Sequence, residues 1–180
     1  MHELPPRPPQ FPPDQTGGPE EPWLTREAIG LLDKYLTKDM HVLEFGAGGS
    51  SIWFAQRTAT VVSIESDVVW YVRILRRAQE LKLSHLLLFY LSTAEECWQT
   101  LTQLGLFDLV LVDGHSRVEC IKRAREHVRP GGWLVLDDAQ RRAYRAAEYL
   151  LAGWERVITK NVLKADDGMW RTDIYKRADK

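Results

Sequence analysis

The chain has 180 residues, enough for one domain that buries a core without covalent staples. With 24 basic and 25 acidic residues its formal net charge is −1, so no broad basic field exists and nonspecific nucleic-acid binding is not expected. Two cysteines, Cys97 and Cys120, no apolar h-region at the start and no run of spanning length read as a chain with reduced thiols, and a disulfide-built secreted domain is not expected. The same features predict a cytoplasmic chain that does not cross a membrane.

Residues 1–22 hold eight of the nine prolines. Proline removes backbone donors and favours polyproline II geometry, so this stretch reads as a tail outside the core. It is a disordered or draped segment, a lid, or a ligand for a proline-recognition module. The folded domain is expected over 23–180.

The domain opens with a helix in "LTREAIGLLDKYL", where Ala28, Leu31, Leu32 and Leu36 fall at helical spacing behind Thr25 as N-cap and Glu27 in the first turn. A strand "HVLEF" follows, then a helix "SSIWFAQRT" that starts on a glycine loop, and a second strand "VVSIE". "DVVWYVRILRRAQELKL" is a long amphipathic helix, with Val69, Val72, Leu75 and Ala78 expected inward and Arg73, Arg76 and Arg77 outward. Strands "HLLLFYL", "FDLVLVDG" and "GWLVLDD" come next, separated by helices "TAEECWQTLTQL" and "RVECIKRAREHV" and followed by the helix "QRRAYRAAEYLL". Strands this apolar belong to a parallel sheet covered by helices on both faces. The end differs: "WERVITKNV" and "MWRTDIYKR" are joined by "LKADDG", whose Asp-Asp-Gly is turn chemistry and predicts an antiparallel pair.

In an open α/β sheet, ligands bind beyond the carboxyl ends of the strands near a topological switch point. Four segments end there in polar chemistry. "LEFGAGGSS" supplies Gly46 and Gly48, which let the backbone turn tightly and approach a ligand. "SIESD" ends the second strand at Glu65, where an acid can accept both ribose hydroxyls of an adenosyl group. "VLVDGH" ends in Asp113, and "RPGGWLVLDD" in Asp137 and Asp138. The nicotinamide fingerprint G-x-G-x-x-G finds Ser51 at its third glycine. Glu44, just before the loop, would repel a pyrophosphate and attract a sulfonium and its amino group. No Walker lysine follows the loop.

On these four motifs, in this order and spacing, the chain resembles the class I S-adenosylmethionine-dependent methyltransferases. It also resembles a small bacterial subgroup of them through "PWLTREAI", "EFGAGGSSIWFA", "SDVVWYV" and "DGHSRVECI". The resemblance covers roughly residues 23–178. It implies a Rossmann-like three-layer sandwich with a mostly parallel seven-stranded sheet and an antiparallel C-terminal strand. It further implies that Gly46, Ala47 and Gly48 line the methionine part of S-adenosyl-L-methionine, and that Glu44 receives its ammonium, directly or through water. Glu65 would bind ribose and Ser66 flank the adenine. Ser92, Thr93 and Ala94 would border the adenine, with Thr93 equally suited to cap a helix. Asp113 would face the methyl-transfer pocket.

The nucleic-acid amino-methylation motif Asn/Asp-Pro-Pro-Tyr and the Pro-Cys nucleophile of carbon methylation are absent, which favours a small-molecule acceptor, most simply an oxygen. Two mechanisms compete. Asp113, Asp137 and Asp138 resemble the three ligands of metal-dependent catechol-type O-methyltransferases, which would hold Mg²⁺, with Asp138 departing from that family's asparagine. Alternatively His115, two residues after Asp113, is a general base. Arg141 and Tyr144, one helical turn apart, would bind an acidic acceptor or form a plain helix surface. Trp23 would close over the site or anchor the first helix, while the other six tryptophans read as core. A protein or RNA acceptor, a non-catalytic binding domain and a nicotinamide-dependent oxidoreductase are the alternatives. The oligomeric state stays open between monomer and homodimer.

Overall fold

The structure is a computed structural model that describes residues 20–162 and 169–179. Most of the proline-rich tail and the "LKADDG" connection lie outside the described residues. The elements run α1 (Arg26–Tyr35), β1 (His41–Phe45), α2 (Gly49–Ala55), β2 (Thr60–Glu65), α3 (Val68–Glu80), β3 (Leu86–Tyr90), α4 (Ala94–Thr102), β4 (Phe107–Val112), α5 (Arg117–Ala124), β5 (Val128–Leu136), α6 (Ala146–Leu150), β6 (Glu155–Val162) and β7 (Met169–Lys176).

The described strands form one seven-stranded sheet in the order β3-β2-β1-β4-β5-β7-β6. Pairs from β3 through β5 are parallel, and β7 runs antiparallel to both β5 and β6. Each central strand is buried on both faces, which is why its sequence is almost unbroken in apolar residues. Leu43, Phe45, Val110 and Val112 pack with Cys97 and Leu101 of α4, Ile121 of α5 and Ala147 of α6. Val42, Leu109, Leu111 and Val135 pack with Leu32 of α1, Phe54 of α2 and Ile74 of α3. Three helices therefore cover each face, and the expected three-layer sandwich is the one found. The chain winds outward from β1 to β3, then crosses to β4, so the switch point lies between β1 and β4.

Local departures from the expected elements have physical causes. In α3 the buried stripe runs through Ile74 and Ala78, whereas Val69 is 73% exposed. Apolar side chains surround the start of this helix, so spacing alone permits more than one phase. The Asp67 cap, which accepts from the Val69 and Trp70 N–H groups, puts both valines in the first turn. "RPGG" belongs within β5, with a shift of register between Phe107 and Leu109 of its neighbour, and is not only a turn leading into it. The helix expected over 140–151 is split into a 3-10 turn, Arg142–Tyr144, and the short α6. Side chains compete for its first turn: the Gln140 amide bonds Asp138 and the Arg171 N–H, and Arg171 donates to the Ala139 carbonyl.

A chain of threonines ties the first helix to the last strands. The Thr25 N–H donates to Thr172 Oγ1 at 3.1 Å, the Thr25 and Thr159 hydroxyls bond each other, and Thr159 donates to the Thr172 carbonyl at 2.8 Å. All three residues are fully buried.

Candidate active site

The glycine loop is fixed from two sides. Gly46 donates to the Ile64 carbonyl of β2 at 2.8 Å, and Asp113 donates to the Phe45 carbonyl at 2.9 Å. The two loops touch so closely that a Cβ on Gly46 would stand 2.6 Å from the Gly114 nitrogen, and Gly46 has φ +96°. Only glycine satisfies both conditions. The result is a bare backbone cradle at the switch point.

Glu65 is the acid at the end of β2, and it organises this cradle. Its Oε2 accepts from the Ala47 N–H at 2.8 Å, and its Oε1 from the N–H groups of Ser66 and Asp67 at 2.6 and 2.7 Å. A carboxylate offers about four acceptor positions. Three are filled by the backbone, which leaves one on Oε2 for a ligand hydroxyl. The expectation of two ribose hydroxyls on this acid therefore narrows to one.

Glu44 does not reach the cradle surface. It is wholly buried, and its carboxylate accepts from the hydroxyls of Ser50, Ser51 and Ser63, the last at 2.6 Å. Burial raises its pKa to about 7, while the three hydroxyls hold it down from a higher value. Direct capture of an ammonium by Glu44 has no opening here. Its evident work is structural: it anchors the first turn of α2 to β1 and β2, and it places an acid beneath the helix N-terminus where a dinucleotide phosphate would need positive potential. Ser51, which replaces the expected glycine, is one of its ligands.

The three strand-end aspartates converge, but around a side chain that sequence reasoning passed over. Arg117, at the start of α5 and 8% exposed, lies 2.9 Å from Asp113 Oδ1, 3.8 Å from Asp137 Oδ2 and 3.6 Å from Asp138 Oδ2. Its guanidinium also donates to the carbonyls of Gly114, Asp113 and Asp137. Asp137 is further occupied by the Trp170 indole N–H at 3.1 Å and the Thr172 hydroxyl at 2.8 Å. The expectation that Asp113, Asp137 and Asp138 hold Mg²⁺ is thus corrected: a guanidinium, an indole and a hydroxyl already satisfy them. Among the described residues no group of three His, Cys, Asp or Glu side chains is set to hold a metal ion. Asp138 has φ +55°, a left-handed conformation that aspartate and asparagine tolerate, which gives a backbone reason for either at that position.

Burial raises the Asp113 carboxyl to about 7, with Arg117 opposing and Asp138 and Glu44 adding to the rise. Burial also pushes Asp137 well up, reinforced by Asp113 and Asp138. Asp113 keeps 24% of its side chain exposed, against 6% for Asp137. Of the two, Asp113 is the more accessible to solvent.

Other expected site residues fall into place unevenly. His115 is exposed, with Nδ1 3.4 Å from the Ser66 hydroxyl, so it stands beside the end of β2. Thr93 caps α4 in a reciprocal box with Glu96, and Ser92 bonds the same carboxylate at 3.3 Å. Ala94 is the first residue of that helix. Arg141 is paired with Asp138 at 2.6 Å, and Tyr144 packs 5.2 Å from the Arg117 guanidinium, so of the two alternatives for this pair the plain helix face is not the one found. Trp23 lies edge-on to Trp70 of α3 with ring centroids 5.8 Å apart. Cys97 and Cys120 are free and buried, and burial raises their thiols to about 11 and about 12. Arg117 did carry a signal, since it lies four residues beyond Asp113 inside "DGHSRVECI". Trp170 carried none, because a buried donor and a plain core indole read alike in sequence.

Solved structures with this arrangement can now be compared. The chain is similar to the O-methyltransferase from Bacillus cereus in complex with SAH, at 17% identity and TM-score 0.67, over 77% of this chain and 74% of that one. It is similar to an rRNA methylase from Streptococcus thermophilus at 11% identity and TM-score 0.68, over 84% and 95% of the two chains. The N-methyltransferase NodS from Bradyrhizobium japonicum aligns at 16% identity and TM-score 0.61, over 84% and 93%. The chain has the class I, Rossmann-like methyltransferase fold. No family model matches the sequence, and no curated protein does. Among the described residues of this methyltransferase fold, no helix is long and apolar enough to cross a membrane.

Proposed function

We propose that this chain is an S-adenosylmethionine-dependent methyltransferase that methylates an oxygen of a small molecule. The observation that carries the reading is the cradle: a bare loop at Gly46, braced by Glu65, with one acceptor position left on the acid and a buried acid, Glu44, under α2. A ribose hydroxyl fits the first acid. The second disfavours a pyrophosphate, which weighs against a nicotinamide cofactor. The structural neighbours include oxygen, nitrogen and RNA methyltransferases, so the acceptor is argued from this chain alone. Its near-neutral charge supports a small acceptor over RNA.

When bound, the cofactor supplies an electrophilic methyl on a sulfonium, ready for in-line displacement. The protein's part is alignment and proton removal. Glu65 and the Gly46–Gly48 backbone orient the donor. Asp113, raised to about 7 and partly exposed, takes the acceptor hydroxyl proton near neutral pH.

Calorimetry with S-adenosylhomocysteine and NADH tests the donor. S-Adenosylhomocysteine should bind and NADH should not; the reverse would overturn the reading. Glu65→Ala should weaken S-adenosylhomocysteine about ten- to hundredfold, the range expected for losing a hydrogen bond to a charged group. An unchanged affinity would remove Glu65 from the site. A screen of hydroxylated small molecules with radiolabelled cofactor tests the acceptor, and label transfer to RNA or protein alone would reject it.

A further inference from the structure

We infer that Arg117 is the resident cation of the strand-end acids, standing where a divalent ion would have to sit to bridge Asp113, Asp137 and Asp138, and that it makes this a metal-free site. A hard cation needs oxygen ligands at roughly 2.0–2.6 Å and a cage that converges on it. Here the point of convergence is a guanidinium, within 4 Å of all three carboxylates. The side chain is buried, so it cannot swing into solvent to vacate the place at low cost.

Its neutral contacts hold it there as firmly as its charge. Nε donates to the Gly114 carbonyl at 3.0 Å, Nη2 to the Asp113 carbonyl at 2.8 Å, and Nη1 to the Asp137 carbonyl. A metal ion that displaced it would strand three carbonyls at the ends of β4 and β5. The planar fork of arginine reaches all three at once, which a lysine cannot do. Tyr144 covers the guanidinium at 5.2 Å.

Charge completes the case. Three carboxylates face Arg117, and Arg141 adds a second cation at Asp138, 2.6 Å away. Even with all three acids ionised, two guanidiniums leave at most about one negative charge, and the raised Asp113 and Asp137 carboxyls leave less, too little to draw in a divalent ion past a fixed cation. Arg117 is thereby also a positioning residue: it ties the Asp113 loop, which packs on Gly46, to the end of β5. The consequence for catalysis, which rests on the methyltransferase reading, is that acceptor deprotonation falls to a protein base and that turnover persists in EDTA.

The decisive experiment needs no cofactor or acceptor, so its failure and failure of the methyltransferase reading are distinguishable. The full chain is titrated with Mn²⁺, followed by electron paramagnetic resonance and by melting temperature. The wild type should bind no Mn²⁺ at millimolar concentration and should not shift its melting point. Arg117→Ala uncovers the carboxylates; it should melt lower, bind one Mn²⁺ roughly tenfold or more tighter than the wild type, and regain stability as Mn²⁺ is added. Arg117→Gln, which keeps an amide donor for a strand-end carbonyl, serves if the alanine variant does not fold. Arg117→Lys should fold and bind no Mn²⁺, because the charge is retained. One tightly bound Mn²⁺ per wild-type chain would overturn the inference, as would a folded neutral variant that takes up none.

Discussion

Glu44 shows how much one buried acid can decide. Its pKa, raised from 4.5 to about 7 by burial, means that the folded protein keeps a proton which the unfolded chain releases at lower pH. Its contribution to stability is therefore complete below about 4.5 and is lost as pH rises toward 7, an effect on the order of 3 kcal/mol. Asp113 and Asp137 are displaced in the same direction and add to the slope. Glu44→Gln removes one contributor. Urea unfolding at pH 5 and pH 7.5 should show a smaller fall in stability for the variant than for the wild type; equal falls would place the proton elsewhere. In the sequence Glu44 was visible as an acid before a glycine loop. What could not be read was its direction. Alternation along β1 puts Glu44 on the side of Val42, under α2, and the serines that satisfy it come from two different elements.

At the scale of elements, regular chemistry was legible and phase was not. Thr25 and Thr93 announced helix starts, and each caps the helix expected of it. Thr93 carried two expectations, cap and adenine border. Its hydroxyl accepts from the Glu96 N–H, and Glu96 returns to the Thr93 N–H. Thr93→Ala should cost about 1 kcal/mol, the usual worth of a cap, with S-adenosylhomocysteine affinity unchanged. Thermal melts and calorimetry on one preparation separate the two roles, and a loss of affinity without a loss of stability would reverse the assignment. The α3 stripe was misplaced because Val69 and Ile74 are equally apolar, and only the neighbours decide which is covered. The helix after β5 was overdrawn because Arg171, thirty-odd residues on, takes the Ala139 carbonyl.

For the molecule as a whole, apolar runs and turn residues gave a parallel sheet covered on both faces and an antiparallel pair at its end, because a parallel sheet needs both faces buried, while the order of the strands was not readable from them. Contacts between distant strands gave no such signal. The threonine chain joins α1 to β7, and Thr172 then donates to Asp137, so the first helix is wired to the acid cluster through buried hydroxyls. Thr172→Val deprives both the Thr25 N–H and Asp137 of a partner. It should lower stability by about 1–3 kcal/mol. Hydrogen exchange should quicken at the Thr25 amide as well as in β7. Quickening confined to β7 would mean that the chain of bonds carries no coupling.

The place of β7 sets an order of assembly. It follows β6 in the chain yet lies between β5 and β6, and it brings Trp170 and Thr172 to Asp137. During synthesis, β1 to β5 can pair as they emerge, but the acids at their ends stay incompletely partnered until residues 169–176 have left the ribosome and slotted home. A nascent chain arrested before that point would carry the glycine loop and Glu65 without a finished Asp137, so donor binding and completion of the acid cluster become separable events in time.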